Sequence, residues 1–79
     1  MPTIEEKVHA AIGEVLEVPA KKIANDKAFV ADLGADQLDI VEILMTLEDT
    51  FDIAISDDAV EGLATVGQLV EVVTSLLQK

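Results

Sequence analysis

Three stretches of this chain repeat their apolar residues at the helical period, and each opens on a side chain suited to capping a helix. In the first, Ile4, Val8, Ala11, Ile12, Val15 and Leu16 fall on one face. Thr3 precedes them, and Glu6 three residues later completes a capping-box pattern. Pro19 ends the pattern and steers Val18 away from helical backbone, so the spacing predicts a helix over 3–16. In the second stretch, Ile40, Ile43, Leu44, Leu47 and Phe51 form a stripe behind Asp36, a good N-cap, with Asp39 suited to the positive end of the helix dipole. That predicts a helix from near Asp36 to about Phe51. In the third, Val66, Leu69, Val70, Val73, Leu76 and Leu77 follow Thr65, with Gln68 giving another capping-box pattern.

Between the first two stretches the period is lost. Pro19, Asn25, Asp26, Asp32 and Gly34 interrupt residues 17–35, which read as a long loop with one helical turn, pinned to the core by Ile23, Phe29, Val30 and Leu33. Such a loop is unusual in a compact domain and suits a connection between helices that run the same way. Ser56, Asp57 and Asp58 read as the cap and first turn of a short helix closed by Gly62. The expectation is an all-α fold, a four-helix bundle of three long helices and one short one with a long first loop, formed by a single domain over residues 1–79. With two Phe and no Trp or Tyr, its core must be aliphatic.

The charge narrows the function. A formal net charge of −11, from 16 acidic and 5 basic side chains, argues against nucleic acid and against an anionic membrane surface. It favours a basic protein partner, with the field speeding encounter. Without Cys there is no disulfide, thiolate nucleophile or cysteine metal site. His9 stands alone, so a surface role is expected rather than metal ligation. Asp57, Asp58 and Glu61 read as a charge-favoured helix start before they read as a cation site. No Ser-His-Asp set, phosphate-binding glycine loop or carboxylate pair for catalysis is present, so no enzyme and no metal are expected. No apolar run reaches the ~20 residues of a membrane span. The opening Met1-Pro2-Thr3-Ile4-Glu5-Glu6 has neither a basic nor an apolar targeting segment, and a soluble, cytoplasmic monomer is the expectation.

The second helix carries more apolar surface than one buried face needs. Leu38, Val41 and Met45 form a second stripe beside the first. Asp39, Glu42 and Asp49 share the remaining face, with Asp36 at its start and Glu48 near its edge. No Lys or Arg lies between Ala28 and Gln78 to neutralise them. An isolated acidic stripe is more often an ordinary solvated face; uncompensated charge beside surplus apolar residues weakens that reading, and with the family resemblance that follows docking is favoured.

The segment Phe29-Val30-Ala31-Asp32-Leu33-Gly34-Ala35-Asp36-Gln37-Leu38-Asp39 closely resembles the attachment-site region of bacterial-type, stand-alone acyl carrier proteins, and the similarity runs over roughly residues 3–77. The resemblance implies a right-turning bundle whose members carry acyl thioesters on a 4'-phosphopantetheine arm and catalyse nothing themselves. It implies partner contacts through Asp36, Leu38, Asp39, Val41, Glu42, Met45, Glu48 and Asp49, on the basic surfaces of fatty acid synthesis enzymes and of a phosphopantetheinyl transferase. It also implies an acyl pocket lined by Phe29, Ile43, Leu47, Ile55, Val60, Leu63 and Leu69, positions that without the resemblance read simply as packed core.

The chain departs from the family at the residue that holds the arm. Asp36-Gln37-Leu38 stands where the resemblance implies Asp-Ser-Leu. A carboxamide has no hydroxyl to become a phosphodiester, so the arm is not attachable to this chain as written. Thr46, Thr50 and Ser56 lie further along and offer no obvious substitute. Two readings follow: a carrier whose serine has been removed, or a relative that kept the fold and partner face and works as a non-carrier interaction module.

Overall fold

A computed structural model describes residues 3–56 and 58–78. Its helices are α1 (Ile4–Leu16), α2 (Gln37–Phe51) and α3 (Val66–Leu77), with single 3₁₀ turns at Ala20–Lys22 and Asp58–Val60. All three helices open on capping boxes. Thr3 Oγ1 accepts the Glu6 N–H at 3.1 Å and Thr65 Oγ1 accepts the Gln68 N–H at 3.3 Å, while Glu6 and Gln68 reach back to the cap N–H groups. Asp36 and Asp39 do the same for α2. Each box pairs two of the amide donors that a helix start leaves open.

The buried set is Val8, Ala11 and Ile12 of α1, Ile43 and Leu47 of α2, Val66, Leu69 and Val73 of α3, and Ile23, Phe29 and Ala35 of the first loop. Among the described residues no polar side chain is buried. The core is therefore aliphatic apart from Phe29, as the composition required. Each large side chain withdrawn from water here contributes about 1.5–3 kcal/mol.

α1 lies against both α2 and α3. The Lys7 ammonium near the start of α1 sits 5.6 Å from the ring centroid of Phe51, the last residue of α2. The start of α1 is thus beside the end of α2, and the two helices run in opposite directions, not in the same direction as the loop length suggests. The loop spends its length elsewhere: it crosses to the start of α3. Gly67 N–H donates to Asn25 O at 2.9 Å, Val66 N–H to Lys27 O at 3.0 Å, and Phe29 N–H to Ala64 O at 2.9 Å. Two open donors of the α3 N-terminus are satisfied by loop carbonyls in this way. The Asn25 side chain bonds His9 Nε2 at 2.8 Å and donates to Glu5, tying the loop to α1 as well. His9 is half-buried in this link.

Two further expectations are corrected. Val30 does not pin the loop: it is 70% exposed, whereas Phe29 is 1% exposed. Residues 28–33 form a tight turn in which the Asp32 and Leu33 N–H groups both donate to Ala28 O, and Asp32 Oδ2 accepts the Ala28 N–H at 2.7 Å. Phe29 and Leu33 then point to the core and Val30 is left on the outside of the turn. The short helix expected from Ser56 to Gly62 is one 3₁₀ turn, Asp58–Val60, held by bonds of the i to i+3 type from Ala59, Glu61 and Leu63. Gly62, at φ 76°, ends it before an α-helical nucleus can repay the cost of ordering. Asp57 lies outside the described residues.

α1 ends at Glu17, which takes a left-handed conformation at φ 58°. The Val18 N–H turns back to Gly13 O at 3.0 Å. This brings the Val18 carbonyl so close that a Cβ on Gly13 would sit 2.6 Å from it. Gly13 is required there by contact with backbone.

Candidate functional site

The sequence pointed to the N-terminal turns of α2, and the structure turns that region outward. Asp36 Oδ1 accepts the Asp39 N–H at 2.9 Å, and Asp39 Oδ2 accepts the Asp36 N–H at 3.1 Å. Gln37, the first helical residue, stands between them with its side chain exposed. The box is made by the neighbours of Gln37 and not by Gln37 itself. The backbone at position 37 is therefore set independently of the side chain it carries.

Beyond Gln37, Leu38 is 73% exposed, Val41 45% and Met45 59%. Their spacing of three and four places them along one line of the helix. Ile43 and Leu47 on the opposite side are fully buried. The surplus apolar stripe read from the sequence is thus a solvent-facing one. Exposed Glu42 and Asp49 flank it, and exposed Asp36 stands at its start. The result is a narrow apolar strip with carboxylates beside it.

Two of the expected acidic contacts have other work within the fold. Asp39 is half-buried and its Oδ2 is committed to the capping box. Glu48 is half-buried, and its Oε2 accepts the Ile55 N–H at 2.8 Å, which secures the chain just after α2. Asp36, Glu42 and Asp49 therefore carry the exposed part of the charge. Sequence reasoning also missed Val30, whose exposure adds apolar surface in the turn before α2. The pairing of Phe29 with Leu33, one helical turn apart, was the available signal that Val30 faces the other way.

The seven residues expected to line an acyl pocket separate into two groups. Phe29, Ile43, Leu47 and Leu69 are core side chains at no more than 1% exposure. Ile55, Val60 and Leu63 are half-buried, and Ile55 and Leu63 pack on the edge of that core. Val60 and Leu63, with Val72 and Leu76, also line an open groove of about 450 Å³ between the 3₁₀ turn and α3, rimmed by Glu61 and Glu71. A second groove, beside the first loop, is lined by Lys21, Lys22 and Lys27.

The hydroxyls near α2 are engaged or distant. Thr46 Oγ1 donates to Glu42 O at 2.9 Å, and Ser56 follows the helix end and caps the 3₁₀ turn by accepting the Ala59 N–H. Among the described residues no group of three or more His or carboxylate side chains is placed to hold a metal ion. None of the described helices is long and apolar enough to cross a membrane.

An all-helical bundle with an exposed, capped helix start beside an apolar and acidic face has the form of a carrier domain. A family model described as a phosphopantetheine attachment site matches residues 6–73. The acyl carrier proteins of three strains of Buchnera aphidicola (Tuc7, 5A and APS, from Acyrthosiphon pisum) are each 46% identical over 71 residues, covering 90% of this chain and 89% of theirs. A solved Mycobacterium tuberculosis chain assigned as an acyl carrier protein superposes with a TM-score of 0.86 at 34% identity, covering 92% of this chain and 97% of that one. The chain belongs to the acyl carrier protein family, whose members are carriers and not enzymes.

Proposed function

We propose that this chain is an acyl-carrier protein of the fatty acid synthesis type that docks on basic enzyme surfaces through the outer face of α2 but cannot be charged as written. The observation that carries the docking half is the exposed line of Leu38, Val41 and Met45 beside Glu42 and Asp49. Apolar side chains held in water at these levels gain by being covered, and the carboxylates select a cationic rim to cover them. Asp39 and Glu48 support the face from within, through the cap and the Ile55 bond, while exposed Asp36 both caps the helix and adds to its charge. The partners are enzymes of acyl-chain synthesis and the transferase that installs the arm.

The charging half rests on position 37. The residues present do not fit a phosphodiester-linked phosphopantetheine, because the Gln37 side chain has a carbonyl oxygen and an NH₂ group but no hydroxyl. Asp36 and Leu38 would flank the arm were it attached. An acyl chain delivered by such an arm would have to open the packed layer of Phe29, Ile43, Leu47 and Leu69 past Ile55, Val60 and Leu63. Without the arm that layer stays filled. The chain works as a monomer in the cytoplasm.

Incubation with coenzyme A and a phosphopantetheinyl transferase, followed by mass spectrometry, tests this. The chain as it stands should gain no mass, and Gln37→Ser should gain the arm in full. Mass gain by the unaltered chain would overturn the uncharged state.

Gln37 also favours a second reading, a non-carrier interaction module that uses the same acidic α2 face. Under that reading the Gln37→Ser form stays unloaded although the chain still binds basic partners.

A further inference from the structure

We infer that this chain is a dead-end competitor for the enzyme that installs the phosphopantetheine arm, occupying its carrier site through α2 and leaving unchanged; the inference rests on the docking reading above.

An enzyme that joins the arm to a carrier must bring the diphosphate of coenzyme A to the side chain of residue 37. Its contact surface therefore includes the first turns of α2, whatever else it touches. Those turns are intact here. The reciprocal bonds of Asp36 and Asp39 hold the helix start without any contribution from Gln37. Leu38 and Val41 stand exposed directly after it, and Glu42 beside them is exposed too. Gln is uncharged, so the local field at position 37 is that of a serine-bearing chain, and the absence of Lys and Arg from residues 28–78 leaves that field uncompensated.

Recognition and chemistry separate at this one side chain. Transfer requires a hydroxyl oxygen to form the new P–O bond as the diphosphate P–O bond breaks, with the hydroxyl proton passing to a base and the adenosine bisphosphate leaving. Gln37 offers an amide nitrogen whose lone pair is delocalised into its carbonyl and an oxygen that carries no proton to release. The complex can form and can only dissociate. Carriers that do bear a hydroxyl would then be charged at a rate set by the ratio of this chain to them.

The test is transfer from coenzyme A to a serine-bearing carrier by a phosphopantetheinyl transferase, with this chain added in increasing amounts. Inhibition should be competitive toward the carrier and not toward coenzyme A. Its constant should lie within roughly tenfold of the KM measured for the Gln37→Ser form as substrate, because only one exposed side chain differs. Glu42→Lys combined with Met45→Glu, both on exposed positions and checked for folding by circular dichroism, should weaken inhibition by about tenfold or more. If Gln37→Ser is charged normally while the unaltered chain in large molar excess leaves the rate untouched, the competitor role is overturned and the docking reading stands. If Gln37→Ser is neither charged nor inhibitory, both fall. Inhibition that the Glu42 and Met45 changes leave intact also overturns the assignment, since it would not run through α2.

Discussion

At the scale of single residues, side chains with the same apparent role divide once their partners are known. Glu42 and Glu48 lie on one helix and read alike in sequence, yet Glu42 is exposed and Glu48 accepts the Ile55 N–H. Glu48→Ala should therefore destabilise the fold by about 1 kcal/mol in urea titration, by leaving a half-buried N–H unpaired. Glu42→Lys should leave stability nearly unchanged and lower affinity for a basic partner, with a flatter salt dependence. An equal loss of stability from both would contradict this division. Gly13 is the other decisive residue. Its missing Cβ leaves room for the Val18 carbonyl, so Gly13→Ala should cost about 1–3 kcal/mol in thermal or urea unfolding despite the better helix propensity of Ala.

At the scale of elements, the helix starts carry much of the design. Removing the N-cap carboxylate with Asp36→Ala should cost about 0.5–2 kcal/mol. It should also blunt docking, because residues 37–39 fray with the cap. The first loop is an element in its own right, strapped to α3 by Asn25 and Lys27, to Ala64 just before α3 by Phe29, and to α1 by the Asn25 side chain. Asn25→Ala keeps the carbonyl that receives Gly67 but loses the bonds to His9 and Glu5. Faster hydrogen exchange at Val66 and Gly67 is the expected result, and unchanged exchange would show that the backbone bonds hold the loop alone. The three helices and their caps were legible because cap chemistry and the apolar period are local. The course of the loop was not, since its anchors are backbone groups brought together from distant parts of the chain.

For the whole molecule, charge is set against a small core. The chain carries a net charge of −11, and a domain of this size buries only roughly 60% of the surface its unfolded form exposes. Self-repulsion should make its stability responsive to screening. The melting temperature should rise with added salt or a divalent cation, and a melting curve indifferent to ionic strength would count against the account. The same screening should slow association with a basic partner, so that stability and docking rate move in opposite directions as salt is added.

What the sequence determined by itself was periodic, local or compositional: three capped helices, an uncompensated acidic α2 and an aliphatic core. The helices and caps depend on a few neighbouring residues and the other two on a count of residue types, so no knowledge of the packing is needed to read them. Only the tertiary structure decided that α1 and α2 run in opposite directions, that Val30 faces water, that Glu48 serves the backbone, and that the expected short helix is a single 3₁₀ turn. These are consequences of packing. Which side of a turn meets the core, and which carboxylate finds an unpaired N–H, depends on elements far apart in the chain coming to rest against one another.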